Sequence, residues 1–463
     1  MQPTGLSRWL LVVASALVGC SGPPQLASVS RIEPSPPRVL FRDTAVFDGT
    51  SLLPHHDVLV AGDRIVAVSP AGTLTAPDNE TLVLGGSGRT LLPGLVDSHA
   101  HLFSAGEKGP PAPDAATTAG AFLFAGVTTV LVAAGSDEAG RLRRQTQEDD
   151  SPIVPHLYTA GPGLAAPGGH PIPLLRATLP WPVRWFATRG IPTATDGSEA
   201  RAQVGRIIDA TRPDFVKIVY DDLPPGSPHM SREALAGAVA EADARGIRPI
   251  VHANLPQDAR DAVDAGAALL MHVPQRGLLT DDDVAHIAAA SVPVVTTVRL
   301  LSASYDLARH GPIPLERRMY DPEMLQPWID QPKWELPGFS EEIDEIHDQV
   351  AADTAANFRR LLAGGVQLFV GTDSGVHGVF PGASLHRELR LLVELGMPPP
   401  DALRAATSAP AAFLDPQGTF GRIAAGQRAD LILVRGDPTA DIDTLAEIEE
   451  VFVAGVRLRR HPL

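Results

Sequence analysis

Cysteine is nearly absent from this chain of 463 residues, which contains one, Cys20. A single cysteine excludes an internal disulfide, and its position near the N-terminus excludes cysteine metal sites and Cys–His catalytic pairs from the folded body. Positive charge is also scarce, because 38 Lys and Arg face 54 Asp and Glu and give a formal net charge of −16. This balance argues against nucleic acid as the main partner, since binding to phosphates requires a basic surface.

Aromatic residues are few, at 5%, but 44% of the residues are hydrophobic, which is enough for a substantial core. The length suits one large domain or about two to three ordinary ones. The chain also lacks a G-x-S-x-G nucleophile elbow, a G-x-x-x-x-G-K-[ST] phosphate loop and a G-x-G-x-x-G turn that opens a helix. Any chemistry must therefore come from another set of residues.

The N-terminus has the pattern of an export signal. Arg8 provides a positive start, and residues 9–18 form an apolar run that is too short to span a membrane. The sequence LVGC at 17–20 resembles the lipobox of bacterial lipoproteins, in which the signal is removed and the cysteine carries lipid. We expect a signal peptide over 1–19, lipidation of Cys20, and an exported protein anchored on the periplasmic or cell-surface side. An ordinary signal peptide with a stray cysteine is the alternative.

Both ends of the remaining chain show short apolar, often β-branched runs separated by glycine-containing turns. Neither end is large enough to form a good core alone. We therefore predict a β-sandwich domain built from residues 38–90 together with 415–463. The Pro- and Ser-rich segment over 20–37 is predicted to be a flexible tether between membrane and domain.

Between these ends, strand-like runs alternate with Ala-rich helical stretches, such as a helix over 232–244 that Ser231 can cap. Eight strands joined by helices across 91–414 predict an α/β fold, a (β/α)8 TIM barrel. Active sites of such barrels lie at the C-terminal ends of the strands. The eight strand-like runs are 94–97, 127–132, 154–158, 215–219, 250–251, 269–271, 292–298 and 368–370.

Residue types that bind metals fall at or near those strand ends. The first strand is followed by two histidines with one residue between them, so that both imidazoles can reach one ion. Imidazole and carboxylate ligands suit zinc and similar divalent ions. The pattern therefore predicts a metal site at this end of the barrel. The residues concerned are His99, His101, Lys217, His252, His272 and Asp373.

The ordered set of motifs resembles the amidohydrolase superfamily, in the branch with imidazolonepropionase-like and prolidase-like members. The resemblance extends from Arg38 to the C-terminus and implies a (β/α)8 barrel with a β-sandwich formed from both chain ends. The matching stretches are LLPGLVDSHAH at 91–101, AGVTTV at 125–130, DFVKIV at 214–219, VHA at 251–253, MH at 271–272, GTDSG at 371–375 and GQRADLILV at 426–434.

Carried over residue by residue, the resemblance implies two divalent metal ions, with zinc as the expected metal. Lys217 would bridge both ions as a carbamate formed with carbon dioxide, because a lysine held neutral beside two cations is nucleophilic. A salt-bridged barrel lysine, with a single metal elsewhere, is the alternative for Lys217. The remaining ligands would be His99, His101 and Asp373 for the first ion, and His252 and His272 for the second.

The resemblance further implies hydrolysis of an amide C–N bond by a metal-activated hydroxide. Asp373 would act as general base and then as general acid, and His170 would polarise the substrate carbonyl. Tyr220, Arg299 and His377 are candidate contacts for a substrate carboxylate, with a structural role as the alternative for each.

A dipeptide or an N-acyl amino acid is the expected small-molecule substrate. A hydrolase of cyclic amides or lactones is the alternative within enzymes, since imidazolonepropionase shares the implied fold. A surface-anchored binding protein without turnover is the alternative in another class. The resemblance also implies a homo-oligomer, and we expect contact with the membrane through the lipid anchor alone.

Overall fold

The structure is a computed structural model that describes residues 25–102, 114–135, 138–148, 153–179, 181, 183–330, 340–376 and 378–463. The predicted signal peptide, Cys20 and His377 lie outside the described residues. Among the helices of the described ranges, none is long and apolar enough to cross a membrane.

Strands and helices alternate through the middle of the chain, and strands dominate both ends. The described strands are β1 (Ser28–Arg31), β2 (Arg38–Phe47), β3 (Leu52–Ala61), β4 (Arg64–Pro70), β5 (Thr81–Gly85), β6 (Arg89–Pro93), β7 (Leu95–Ala100), β8 (Val127–Val132), β9 (His156–Thr159), β10 (Phe215–Val219), β11 (Arg248–His252), β12 (Leu269–Met271), β13 (Val294–Val295), β14 (Leu368–Phe369), β15 (Leu431–Arg435), β16 (Ile448–Val453) and β17 (Val456–His461). The described α-helices are α1 (Ala115–Phe124), α2 (Glu138–Glu148), α3 (Ile172–Thr178), α4 (Val183–Arg189), α5 (Gly197–Thr211), α6 (Arg232–Ala244), α7 (Pro256–Ala265), α8 (Asp281–Ala290), α9 (Ala303–His310), α10 (Pro314–Met319), α11 (Pro322–Asp330), α12 (Ser340–Ala363), α13 (Ala383–Glu394), α14 (Pro399–Ala405) and α15 (Ser408–Leu414).

Strands from both ends of the chain lie in one mixed sheet of nine strands, in the order β1-β17-β16-β15-β6-β2-β3-β4, with β5 paired to β2. The two ends meet where β15 pairs antiparallel with β6. Phe41 from the N-terminal part and Phe452 from the C-terminal part pack edge to face, with ring centroids 5.4 Å apart. Each end therefore completes the core of the other, as the small size of both segments requires. The division of this sheet into two sandwich layers stays a prediction.

The segment predicted to be a tether is folded from Leu26 onward. Leu26 and Ala27 are buried, and Leu26 forms an isolated β-bridge with Tyr320. The strand β1 that follows pairs antiparallel with β17. A flexible tether over 20–37 is therefore wrong for this part, because apolar side chains find a buried cluster and the backbone finds the edge of a sheet. The boundary predicted after residue 90 is also displaced, since β6 continues the sheet to Pro93.

Each of the strands β7 to β14 overlaps one of the eight predicted runs, in the same order. They form two parallel sheets, β7-β8-β9 and β10-β11-β12-β13-β14. Backbone hydrogen bonds connect the two sheets on both sides: the Asp373 N–H donates to the His99 carbonyl at 2.7 Å, and the Leu164 N–H donates to the Lys217 carbonyl at 2.9 Å. The middle of the chain is therefore a TIM-barrel-like α/β domain.

The helix predicted over 232–244 is observed with the same bounds as α6. It begins where the Ser231 side chain accepts a hydrogen bond from the Ala234 N–H at 3.1 Å, which satisfies one of the unpaired amides of the first turn. Its apolar face, including Leu235 and Val239, is buried in the main hydrophobic core. The local sequence pattern was sufficient here because the cap and the helical spacing agree.

Candidate metal centre

The end of β7 carries the first two candidate ligands, His99 and His101. Residues two apart in a strand project to the same side, and His99 is buried while His101 is partly exposed. The Asp97 carboxylate fixes this strand end, because it accepts hydrogen bonds from the Thr372 hydroxyl at 2.7 Å and from the backbone N–H groups of Thr372 at 3.1 Å and His99 at 3.2 Å. The first and last strands of the parallel set therefore hold their candidate ligands side by side.

Asp373 follows β14 in the left-handed backbone conformation, with φ 60°. Its Oδ1 atom lies 2.9 Å from Nε2 of His101 and 3.3 Å from Nε2 of His99. Neither contact has hydrogen-bonding geometry, so this buried oxygen has no hydrogen-bond partner among the described residues, and the same is true of His99 Nδ1. Burial would raise the pKa of Asp373, but His101 and the other nearby bases hold it below its usual value.

His252 and His272 end the neighbouring strands β11 and β12, and both are buried. Nδ1 of His252 lies 2.9 Å from Nε2 of His272. The outer nitrogen of His272, Nδ1, lies 2.7 Å from the Thr297 hydroxyl. Burial lowers the pKa of both histidines, so both rings are neutral near pH 7. Neutral imidazole is the form that binds metals.

Lys217 lies in the middle of β10 and is buried. Burial lowers the pKa of its ammonium group to about 8, although the carboxylates of Asp373 and Asp221 oppose the shift. The positive charge of Lys217 in turn contributes to the lowered pKa values of His99 and His252. Lys217 therefore lies in the same charged cluster as the histidines.

The donor set fits a divalent metal centre. Two groups have candidate ligand atoms within 4.8 Å of one another, namely His99, His272 and Asp373, and His170, Asp221 and His252. Buried imidazole nitrogens and a carboxylate oxygen that converge without hydrogen-bonding geometry are the surroundings that zinc and similar ions require. The first group differs from the ligand sets implied by the sequence. His272 was expected to bind the second ion, but it lies with His99 and Asp373, which were expected to bind the first.

The structure adds two residues to this cluster, Asp221 and Asn254. Asp221 Oδ2 lies 2.7 Å from His252 Nε2 and 3.0 Å from His170 Nδ1, which places His170 in the centre. Asn254 Nδ2 donates to the same oxygen at 2.8 Å. The sequence held a signal for both residues: Asp221 follows the end of β10, and Asn254 lies two residues after His252, on the same side of the chain.

Two of the predicted substrate contacts have partners of their own. The Tyr220 hydroxyl donates to Asp261 Oδ2 at 2.9 Å, and that carboxylate also accepts from Arg232 at 2.7 Å. Arg299 is buried, donates from Nη2 to the Ala303 carbonyl at 3.0 Å, and has its Nε 3.3 Å from Asp306 Oδ2. Asp261 lies against the Tyr220 hydroxyl and Asp306 lies beside the Arg299 charge, which favours the structural alternative for both residues. Their contact with a substrate stays a prediction.

Comparisons with known proteins agree with this geometry. Residues 90–458 match the amidohydrolase family. The chain is 26% identical to the imidazolonepropionase of Streptomyces griseus over 442 residues, which cover 85% of this chain and 89% of that enzyme. It is 28% identical to the imidazolonepropionase of Saccharopolyspora erythraea over 275 residues, 57% of this chain and 66% of that enzyme.

The fold is also similar to that of a solved Xaa-Pro dipeptidase with methionine bound in its active site. The TM-score is 0.70 at 22% identity, over 91% of this chain and 99% of the other. A likeness at this level of identity concerns the fold alone. The family match spans most of the chain and includes every candidate ligand described above. The protein is therefore a member of the amidohydrolase family.

Proposed function

We propose that this protein hydrolyses an amide C–N bond in a dipeptide or an N-acyl amino acid and depends on divalent metal ions. One observation carries the proposal: Asp373 Oδ1 lies buried within 3.3 Å of two histidine nitrogens, without hydrogen-bonding geometry, at the strand ends of an amidohydrolase. A barrel enzyme builds its catalytic site at that end. Members of this family are hydrolases, so the general class of reaction follows from the family itself.

The proposed metal ions are two zinc ions bridged by a carboxylated Lys217. When bound, such ions supply the Lewis acidity that activates water and polarises the scissile carbonyl. Lys217 suits the bridging role because burial favours its neutral amine, which can attack carbon dioxide and release a proton to form a carbamate. The other proposed ligands are His99, His101 and Asp373 for one ion, and His252 and His272 for the second.

Asp373 is the proposed proton carrier. Its pKa is held below the usual value, so the carboxylate is ionised and can accept a proton from the attacking water. The same group can then pass that proton to the leaving nitrogen, which departs as a neutral amine. His170 is proposed to hold the carbonyl oxygen of the substrate, with its Nδ1 anchored to Asp221 at 3.0 Å. Charge that develops on that oxygen is stabilised by a positioned donor.

The dipeptide or N-acyl amino acid is favoured by the fold shared with a solved Xaa-Pro dipeptidase. A second candidate, hydrolysis of a cyclic amide, is favoured by the two imidazolonepropionases to which the sequence is similar. Both reactions break a C–N bond next to a carbonyl. They differ in the shape of the substrate.

The decisive experiment uses zinc-replete protein truncated before Ser21, with a chelator-treated sample beside it. The substrates are a library of dipeptides, N-acyl amino acids, cyclic amides and lactones. Metal-dependent release of amino acids supports the dipeptidase-type proposal. Turnover of the cyclic compounds alone supports the second candidate function, hydrolysis of a cyclic amide. Asp373→Asn serves as the control: an enzyme loses turnover, whereas a protein that only binds retains its ligand affinity.

Two further proposals concern the whole chain. We propose that the two parallel sheets form one closed eight-stranded barrel, which the hydrogen bonds from Asp373 and Leu164 across both seams support. We also propose export and lipidation at Cys20, which places the enzyme on the outer side of a membrane. Fractionation of cells that express the wild type or Cys20→Ala tests this localisation. Only the wild type is expected in the membrane fraction.

A further inference from the structure

Asp221 is a fully buried carboxylate immediately beyond the strand that carries Lys217. Its side chain is 0% exposed. It contacts two histidines and an amide: His252 Nε2 at 2.7 Å, His170 Nδ1 at 3.0 Å and Asn254 Nδ2 at 2.8 Å. All three contacts reach the same oxygen, Oδ2, from nitrogen atoms that can carry a hydrogen, which is the arrangement that suits an ionised carboxylate.

We propose that Asp221 is a positioning residue that orients two functional imidazoles at once, His252 toward the metal centre and His170 toward the substrate. This inference rests on the proposed function for the role of His170. Its effect on His252 concerns metal binding alone. The roles proposed above for the other residues of the centre are unchanged by this inference.

The argument for His252 follows from hydrogen-bond chemistry. An ionised carboxylate can only accept hydrogen bonds, so the His252 nitrogen beside Asp221, Nε2, carries the hydrogen. Nδ1 of the neutral ring then carries the lone pair, and this atom lies 2.9 Å from Nε2 of His272. When His272 donates from Nδ1 to the Thr297 hydroxyl, its Nε2 lone pair faces that of His252. In that tautomer both lone pairs are directed at one point, where a cation can bind, and a carboxylate behind a ligating imidazole also strengthens its basicity.

The argument for His170 uses the same carboxylate. The rings of His170 and His252 are nearly perpendicular, at 89°, with centroids 4.9 Å apart. Because Nδ1 of His170 is held by Asp221, its Nε2 is the nitrogen left for a substrate. Asp221 therefore couples the placement of a metal ligand to that of a substrate-binding group.

A direct metal ligand is the rival role for Asp221, since its oxygens lie close to His170 and His252. The contacts of Oδ2 argue against it. Asn254 donates to that oxygen at 2.8 Å and also lies 3.1 Å from His252 Nε2, which fills the space around the atom with N–H donors. An oxygen that already accepts from several donors has little capacity left for a metal ion.

The test compares Asp221→Asn with Asp222→Asn as the matched control. Asp222 is the adjacent acid and pairs with Arg276 outside the cluster. Metal content is measured on protein saturated with zinc, and zinc affinity is measured by competition with a chromophoric chelator. We expect Asp221→Asn to bind the same number of ions with about 10- to 100-fold weaker affinity, and Asp222→Asn to match the wild type. Loss of one whole equivalent of zinc would make Asp221 a ligand and overturn the proposal, as would unchanged affinity.

A second measurement needs no variant. Nitrogen NMR of metal-free wild-type protein reports which ring nitrogen of each histidine carries the hydrogen. We expect His252 in the Nε2–H form, and the opposite tautomer contradicts the proposal. Neither measurement uses a substrate, so a failure of the proposed amide hydrolysis leaves both results interpretable. With an active substrate, Asp221→Asn should lower kcat more than it raises KM, because His170 acts on the developing charge.

Discussion

The hydroxyl of Thr372 donates a 2.7 Å hydrogen bond to the buried carboxylate of Asp97, which joins the segment after the last parallel strand to the first. The Thr372 backbone N–H donates to the other oxygen of the same carboxylate at 3.1 Å. His99 lies two residues after Asp97, and Asp373 directly follows Thr372. The bond therefore holds together candidate ligands that follow the first and the last of the parallel strands. Burial raises the pKa of Asp97 to about 7, against the hydrogen bonds that lower it.

Thr372→Val is therefore expected to destabilise the fold. The substitution leaves a buried carboxylate without one of its donors, which costs about 1–3 kcal/mol in the free energy of unfolding. Urea denaturation of metal-free protein measures the change. Thr372→Ser, which keeps the hydroxyl, is the control and should stay near the wild type. Equal stability of the Val and wild-type proteins would show that the bond contributes nothing.

Removal of the metal is expected to lower the thermal midpoint of unfolding. A ligand that binds only the folded state at 1,000 times its Kd stabilises that state by about 4 kcal/mol. Chelator treatment should therefore lower Tm, and added zinc should restore it. His99→Ala removes a converging nitrogen and should abolish most of the zinc-dependent shift. A chelator effect of the same size in His99→Ala as in the wild type would contradict the assignment of the centre.

Carboxylation of Lys217 is directly observable. Carbon-13 NMR of protein incubated with labelled bicarbonate and zinc should show a carbamate signal in the wild type and none in Lys217→Met. The variant should also lose most of its metal, since no anionic bridge can form. Short carboxylic acids are expected to restore part of the metal binding, because they can occupy the place of the carbamate. A labelled signal that persists in Lys217→Met would locate the carbamate elsewhere.

His386 predicts a pH dependence of stability. The ring is buried, lies 2.9 Å from the Ala125 carbonyl through Nε2, and has its pKa lowered to about 4 by burial. A histidine of the unfolded chain has a pKa of about 6.5, so between these values the unfolded state binds more protons than the folded state. Stability is therefore lost as the pH falls from about 6.5 toward about 4, by up to about 1.4 kcal/mol per pH unit for this group.

Urea denaturation at pH 7 and at pH 5 measures this slope in His386→Gln beside the wild type. The variant keeps an N–H donor for the carbonyl but cannot titrate, so its stability should fall less between the two pH values. His55→Gln, at an exposed position, is the control and should retain the wild-type slope. If stability changes equally with pH in all three proteins, His386 is not the source of the pH dependence.

Tyr220→Phe tests whether the hydroxyl has a structural role or binds substrate. The hydroxyl donates to Asp261 at 2.9 Å, so its loss should lower the free energy of unfolding by about 1 kcal/mol and leave KM unchanged. Kinetics on an active substrate and urea denaturation measure both quantities. A rise in KM of tenfold or more with unchanged stability would support the prediction that Tyr220 contacts the substrate.

Much of the parallel-stranded region could be predicted from the sequence because its signals are local. Most of the eight strands contain a short apolar run, which is a local pattern. Most candidate ligands were found by the same reasoning, since they lie at or just beyond the ends of those runs, whereas Lys217 lies in the middle of β10. His252 and His272 illustrate this: both follow apolar strands directly, and the parallel order brings them to 2.9 Å.

The contacts of polar side chains could not be predicted in this way. Tyr220 and Asp221 are adjacent in the sequence. The Tyr220 hydroxyl nevertheless donates to Asp261 of helix α7, whereas the Asp221 side chain contacts His252 in the candidate metal centre. Adjacent residues point in different directions, and which direction leads to the site depends on how the strand end is placed. Arg299 was a candidate substrate contact for its charge and its position after the seventh strand, whereas the structure has Asp306 3.3 Å away.

The sequence by itself determined the family, the order of strands and helices in the middle of the chain, and the residues able to bind a metal. These properties depend on residue type and on spacing along the chain. Only the tertiary structure decided that Leu26 is buried beside Tyr320, that the two chain ends meet through the pairing of β15 with β6, and that Asp221 joins His170 to His252. Such contacts connect residues far apart in the sequence, and they form because buried polar and apolar groups must each find a partner once the chain has folded.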